Sequence, residues 1–336
     1  MKDFEKIKTL LAGKINILIT THVRPDADAI GSSLALFHFL NKSGFHASLV
    51  LPNAPAEYYQ WFPGIDEAFI FDKNAEKVKQ IVSESELIAV VDFSQLSRNG
   101  ELGKLIASSS APKIVIDHHP EPEMIFDAYC WDISYCAAAE AVFELLEFLD
   151  EKMLKDKTIS ECIYAALIAD SGSFSYSGVS PGTHLIAAKL MENGIDHSRL
   201  DKLIFKSFTS KRLFFWGYCL SEKLTLFYDE QLAVIAVSAE EFNRFQTDYT
   251  DTENLVNMPM MIEKVRVSVL IVERGKKIKL SFRSKGDIPV NEVAKDYFEG
   301  GGHKNAAGGD SLLSLEKTVE LVVEKVKGFL EGFHEN

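Results

Sequence analysis

Apolar residues in the first half of the chain fall into short runs separated by longer stretches with helical spacing. Runs at Ile15–Thr20, His46–Leu51, Glu67–Phe71, Leu87–Val91 and Lys113–Ile116 predict strands. Alternating with amphipathic helices, they predict a parallel sheet covered on both faces. A first helix from about Asp28 to Lys42 carries Ile30, Leu34 and Phe37 at helical spacing, with Asp28 as its N-cap and Ser43-Gly44 as its stop. A later helix opens at Thr158-Ile159-Ser160-Glu161, which has capping-box spacing, and closes at Asp170-Ser171-Gly172. Asp170 therefore stands at a helix exit.

The second half follows a different rhythm. Leu224–Tyr228 and Gln231–Val237 predict a hairpin, and Val265–Val272 and Lys277–Arg283 alternate with period two. In the last of these Lys277, Lys279, Ser281 and Arg283 share one face, and with Lys276 and Lys285 they make the strand basic. A closing helix over Leu315–Leu330 presents Val319, Val322, Val326 and Phe329 to that smaller sheet. At 336 residues the chain exceeds what one core usually organises. The expected architecture is α/β: a domain over 1–195 with a parallel sheet flanked by helices, a helical linker over 196–222, and a smaller α/β domain with a mixed sheet over 223–336.

A net charge of -13 argues against a protein that grips long duplex nucleic acid by neutralising many phosphates, but leaves a small phosphorylated ligand in a local pocket open. Cys130, Cys136, Cys162 and Cys219 match neither a zinc site nor a secreted disulfide framework. No apolar run approaches a membrane span and the start lacks a cleavage signal, so the expected location is the cytoplasm.

The chemistry concentrates at strand ends. His22 to Asp28, Asp92, and Asp117-His118-His119 each follow the carboxyl end of a predicted strand, the edge where open α/β sheets bind ligands. Singly these residues read as a helix cap, a turn residue and a loop pair. Gathered at one edge, each close pair of carboxylates repels by roughly 4 kcal/mol at an effective dielectric of about 20, and divalent cations are the natural compensation. Carboxylate mixed with imidazole and no thiolate suits Mn²⁺ or Mg²⁺, and also accommodates Fe²⁺, Co²⁺ or Zn²⁺. Mn²⁺ is the expectation.

Thr21-His22-Val23-Arg24-Pro25-Asp26-Ala27-Asp28-Ala29-Ile30-Gly31-Ser32, then Val91-Asp92, Asp117-His118-His119 and Ala169-Asp170-Ser171-Gly172 resemble, in order and spacing, the four motifs of the DHH phosphoesterases. Ser281-Phe282-Arg283-Ser284 and Gly300-Gly301-Gly302-His303-Lys304-Asn305-Ala306-Ala307-Gly308 resemble the DHHA1 domain found in one branch of that family. Within the branch, the chain is most similar to the nanoRNase/pAp-phosphatase (NrnA-type) group. One departure is Cys136-Ala137-Ala138-Ala139-Glu140, where relatives often carry a small hydroxyl residue before the glutamate.

The resemblance implies two divalent metals, one held by His22, Asp26 and Asp92 and the other by Asp28, Asp92, His118 and Asp170, with Asp92 shared. It implies catalytic roles for Asp92, for His119 beside the phosphate and for Asp117 in orienting the ligand shell. It further implies substrate contacts from Arg283, Gly301, Gly302 and His303. The implied substrates are short RNA, linear dinucleotides such as pApA, and pAp. An inorganic pyrophosphatase or exopolyphosphatase, and a catalytically silent nucleotide-binding regulator, are the competing readings. A homodimer is left open.

Overall fold

The computed structural model describes residues 1–332 apart from Ser177, Asp248 and Lys276, so the basic position at Lys276 lies outside the described residues. The chain forms two compact units, Met1–Ser207 and Phe208–Asn336.

The first unit runs α1 (Phe4–Leu11), β1 (Asn16–Thr20), α2 (Ala27–Lys42), β2 (His46–Leu51), β3 (Phe69–Ile70), α3 (Phe71–Glu84), β4 (Leu87–Val91) and α4 (Gly100–Ser108). It continues with β5 (Lys113–Asp117), β6 (Ala128–Trp131), α5 (Ala138–Asp150), α6 (Lys157–Asp170), α7 (Pro181–Glu192) and α8 (His197–Phe205). The strand order is β3-β2-β1-β4-β5-β6, and every neighbouring pair is parallel. Alternate strand residues feed two cores. Ile17, Ile19, Ala89, Val91 and Ile114 pack with α1, α2, α5 and α6. Leu18, Val50, Ile88, Val90 and Val115 pack with α3 and α4. β4 is buried at all its positions, as its unbroken Leu-Ile-Ala-Val-Val requires. From β1 the chain goes to one side for β2 and β3 and returns on the other at β4. The carboxyl ends of β1 and β4 thus form the topological switch point where such sheets bind ligands.

Several local readings change. Asp26, not Asp28, caps α2: its backbone is extended and its side chain accepts from the Ala29 N–H at 3.0 Å, which leaves Asp28 inside the first turn. Asp156 caps α6 by accepting from the N–H groups of Thr158 and Ile159, so that helix starts ahead of the Thr158 signal. β3 shrinks to two residues because Phe71 already opens α3, and β6 adds a sixth strand.

The second unit contains α9 (Ser210–Tyr218), β7 (Leu224–Phe227), β8 (Leu232–Val237), α10 (Ala239–Arg244), β9 (Val267–Arg274), β10 (Lys277–Ser284), α11 (Val290–Tyr297), β11 (Gly301–His303), β12 (Ala306–Ser311) and α12 (Leu315–Gly332). Its sheet, β11-β12-β10-β9-β8-β7, is mixed, since β8 and β9 run parallel and the other pairs antiparallel. α11 and α12 cover one face through Val290, Val293, Val322 and Val326, while α9 brings Phe215 and Trp216 against Ile235 and Leu270 on the other. The helices of 196–222 each belong to a unit: Leu200 of α8 joins the first core and α9 the second. Ile278, Leu280 and Phe282 of β10 are buried while Lys277, Lys279, Ser281 and Arg283 take the opposite face. Among the described residues no helix is long and apolar enough to cross a membrane. Cys130, Cys162 and Cys219 are buried and Cys136 half-buried, and none forms a disulfide.

Candidate metal centre

Three adjacent strands and two helices deliver the predicted residues of the first unit to one place. His22 lies two residues beyond β1, Asp92 directly follows β4, and Asp117 ends β5 with His118 and His119 after it. Asp28 sits in the first turn of α2, and Asp170 is the last residue of α6. Gly31 explains how these two helices approach so closely. A Cβ there would stand 2.6 Å from the Cys162 carbonyl oxygen and 2.9 Å from the Ala166 Cβ, both on α6. Asp28 lies one turn before this contact and Asp170 one turn beyond it.

The candidate ligand atoms group around Asp92. One atom each from His22, Asp26 and Asp92 lies within 4.8 Å of the others, as does one each from Asp28, Asp92 and His118, and from Asp92, Asp117 and His119. His22 Nε2 is 3.4 Å from Asp92 Oδ2, and His118 Nε2 is 3.5 Å from both Asp92 Oδ1 and Asp170 Oδ2 and 3.9 Å from Asp28 Oδ2. Asp28, Asp92 and His118 are buried, His119 and Asp170 are partly open, and Asp26 is exposed. Asp92 has φ +63°, a left-handed conformation that costs a non-glycine residue roughly 1–2 kcal/mol. The chain tolerates this at a carboxylate that faces His22, His118 and His119 alike.

The hydrogen bonds fix how each group faces the centre. His22 Nδ1 donates to the Val23 carbonyl at 3.0 Å and His118 Nδ1 to the Tyr135 carbonyl at 3.1 Å. A carbonyl only accepts, so in each neutral ring Nδ1 carries the hydrogen and Nε2 turns a lone pair toward carboxylate oxygens. Lone pair against anion is unfavourable unless a cation lies between them. Asp92 Oδ1 is buried with no hydrogen-bond partner. Asp28, by contrast, is gripped from behind: it accepts from Ser32 Oγ at 2.8 Å and from the Ala138 and Ala139 N–H groups at 2.7 and 3.1 Å, at the N-terminus of α5. Buried, pre-oriented imidazole and carboxylate atoms with an orphaned oxygen at their midst are a donor set that fits divalent cations.

The electrostatics agree. Burial works against protonating His22 and His118, but the surrounding carboxylates, Asp92 with Asp26 for His22 and Asp92 with Asp170 and Asp28 for His118, together outweigh it, and both imidazoles stand above the ordinary value, His118 well above. Asp92 is held well below the carboxylate range by His118 and His22 against the pull of burial. Asp28 is pushed well above it, by burial first and then by the charges of Asp92 and Asp170. Asp117 is lowered, the contact from His119 Nδ1 at 2.8 Å overcoming burial.

Two further residues, not singled out in the sequence, build this site. Asn99 is buried and its Nδ2 donates to Thr20 Oγ1 at 3.1 Å and to the Thr21 carbonyl, tying down the chain just ahead of His22. Ser32 braces Asp28, and its i,i+4 spacing was the available signal. At the Cys136 departure a hydroxyl still reaches Glu140, from elsewhere: Thr183 Oγ1 donates to Glu140 Oε1 at 2.6 Å, with Cys136 Sγ at 3.0 Å.

The remaining predicted residues belong to the second unit. Arg283 on β10 and His303 on β11 both pair across to Ala306 of β12, so they flank it in one row, about 10 Å apart at two strand spacings. Of the glycine run, Gly300 and Gly302 are required by the fold: a Cβ would meet the Gly308 oxygen at 2.0 Å or the Ala306 oxygen at 2.6 Å. At Gly301 a Cβ would meet nothing within 4 Å.

Residues 16–169 match the family model described as the DHH family, N-terminal domain, and residues 229–332 match the DHHA1 domain. The bifunctional oligoribonuclease and PAP phosphatase NrnA of Thermus thermophilus is 29% identical over 93% of this chain and 89% of its own. The protein of the same name from Bacillus subtilis is 26% identical over 87% of this chain and 88% of its own. A solved structure described as an exopolyphosphatase-related protein, from Bacteroides fragilis, is 32% identical, covers 98% of this chain and 97% of its own, and superposes with a TM-score of 0.92. With its four strand-end and helix-end motifs converging in the first unit and a DHHA1 domain in the second, the chain belongs to the DHH family of phosphoesterases.

Proposed function

We propose that the protein is a Mn²⁺-dependent phosphodiesterase that hydrolyses short oligoribonucleotides, or linear dinucleotides such as pApA, to mononucleotides, and that also removes the 3′-phosphate of pAp. The observation that carries this reading is that His22 and Asp26 on one side, and Asp28 and His118 on the other, group around the Asp92 carboxylate, one oxygen of which has no hydrogen-bond partner. The names of the relatives from Thermus thermophilus and Bacillus subtilis supply the substrate class.

In this reading His22, Asp26 and Asp92 hold one cation and Asp28, Asp92, His118 and Asp170 the other. Divalent cations held by these residues would supply Lewis acidity, lowering the pKa of water and stabilising charge on phosphoryl oxygens. The chain's own groups do the rest. The Val23 and Tyr135 carbonyls keep His22 and His118 in the tautomer that presents Nε2. Asp117 orients His119 through Nδ1, so that Nε2 of a half-buried imidazole can hold the proton needed by the leaving oxygen. Arg283, Gly301, Gly302 and His303 are assigned to substrate. A guanidinium offers phosphate a bidentate fork, and Gly301, which no packing contact explains, lets backbone approach an anion.

The exopolyphosphatase-related description of the Bacteroides fragilis structure keeps inorganic polyphosphate as the second reading. A panel of RNA of two to twenty-four nucleotides, pApA, cyclic di-AMP, pAp, pyrophosphate and polyphosphate, in Mn²⁺ and in Mg²⁺, separates the two. The proposal expects fastest turnover on the shortest RNAs and pApA in Mn²⁺. Preference for the inorganic substrates, or equal rates on long RNA, would overturn it.

A further inference from the structure

The five carboxylates of the centre, Asp26, Asp28, Asp92, Asp117 and Asp170, outnumber by one the positive charges of two divalent cations. A phosphoryl group entering there, itself anionic, therefore needs a cation from the protein. Arg98 is placed to be that cation. It follows Asp92 in the same segment beyond β4, and its carbonyl accepts the Val23 N–H at 2.9 Å, which lays this segment alongside the His22 loop. The neighbouring Asn99 clamps the same loop through Thr20 and Thr21.

The side chain itself is half-buried and forms no hydrogen bond, ion pair or ring contact with the described residues. The structural work of this position is done by backbone, and the guanidinium keeps its donors for something else. A planar fork on a segment laid alongside the His22 loop is suited to two oxygens of one phosphoryl group.

Resting on the reading of the first unit as a phosphoesterase site, we infer that Arg98 is a substrate-binding and catalytic residue that grips the phosphoryl group under attack and balances the charge that develops on it. It acts within the first unit, separately from the contacts assigned to Arg283.

The test compares wild type, Arg98→Ala and Arg98→Lys, each loaded with Mn²⁺, in two assays: calorimetric titration with inorganic phosphate, and kcat and KM on pApA. Arg98→Ala is expected to weaken phosphate binding at least about tenfold and to lower kcat/KM by about 10²–10³, the usual loss on removing one donor to a developing oxyanion. Its Mn²⁺ affinity should stay within about threefold of wild type and its melting temperature should not move, because no contact of the fold uses the guanidinium. Added guanidinium ion should restore part of the rate, and Arg98→Lys should keep charge but fall between the two. Phosphate affinity and kcat/KM within about threefold of wild type would overturn the inference, as would a parallel collapse of Mn²⁺ affinity, which would make Arg98 a support of the metal loop. Should wild type cleave no phosphoester at all, the phosphoesterase reading fails. Phosphate titration then still decides the inference: binding lost with Arg98 supports it, and binding indifferent to Arg98 overturns it.

Discussion

Replacing Gly31 by alanine would test how the α2–α6 contact sets the distance between Asp28 and Asp170. The new Cβ would sit 2.6 Å from the Cys162 carbonyl oxygen, 2.9 Å from the Ala166 Cβ and 3.2 Å from Phe62 Cε1. Two of these neighbours are backbone or Cβ of a packed helix and cannot rotate away, so the helices must part by about half an ångström. Overpacking of this kind costs about 1–3 kcal/mol, and exchange of glycine for alanine inside a helix returns about 1 kcal/mol. The net loss is then at most about 2 kcal/mol, small enough for the first unit to stay folded. The effect on the centre is larger in proportion. His118 Nε2 stands 3.9 Å from Asp28 and 3.5 Å from Asp170, and about half an ångström of separation between the helices reaches both contacts. Since a misplacement of about 1 Å costs about 10²-fold in rate, roughly a tenfold loss of kcat on pApA is expected. The assay pairs urea unfolding with Mn²⁺ titration and turnover. An unfolding midpoint and Mn²⁺ affinity both equal to wild type would refute the claim that this contact positions the ligands.

Other outcomes follow from single residues. Asn99→Ala removes the donor to Thr20 Oγ1 and the Thr21 carbonyl from a buried site, with an expected cost of about 1–3 kcal/mol in urea unfolding and weaker Mn²⁺ binding; unchanged stability would count against the clamp. Gly302→Ala, at φ +139° and against the Ala306 oxygen, should destabilise the second unit, whereas Gly301→Ala should leave its melting unchanged and raise KM for pApA; the reverse order would remove Gly301 from the substrate assignment. In metal-free protein the raised pKa values of His22 and His118 contribute stability that is fully present below about pH 6.5 and is lost as pH rises through the folded values. The melting temperature without metal should therefore fall as pH rises above about 6.5, and saturating Mn²⁺ should flatten that slope by replacing the protons. A metal-free melting temperature that rises over this range would contradict the assignment.

How much of this was legible without coordinates depends on where each signal resides. The ligand positions could be read because each follows a strongly apolar strand or ends a helix, and strand ends of a parallel sheet share one edge; His22, Asp92 and His118 are the cases in point. The cap of α2 was misassigned because Asp26 and Asp28 are equally good cap residues in composition, and only backbone geometry separates the one at the cap from the one in the first turn. β6, as Ala-Tyr-Cys-Trp, and β12, as Ala-Ala-Gly-Gly-Asp-Ser, lack the alternation that marks a strand, and pairing with neighbours decides their state. The glycine run leads into an edge strand, and two of its glycines are demanded by the closeness of β12 rather than by any local turn. Asn99 and Thr183 act through contacts 78 and 43 residues away, and local patterns carry no trace of such partners.

The most direct test of the central claim counts metal. Wild-type protein and Asp92→Asn, dialysed against Mn²⁺ and recovered, are assayed for bound manganese per chain, with circular dichroism as the check on folding. The account predicts two ions per wild-type chain and fewer than one in Asp92→Asn at the same free Mn²⁺, because both groups of ligand atoms share that carboxylate. Two ions retained by Asp92→Asn, or none held by folded wild type at millimolar Mn²⁺, would contradict it.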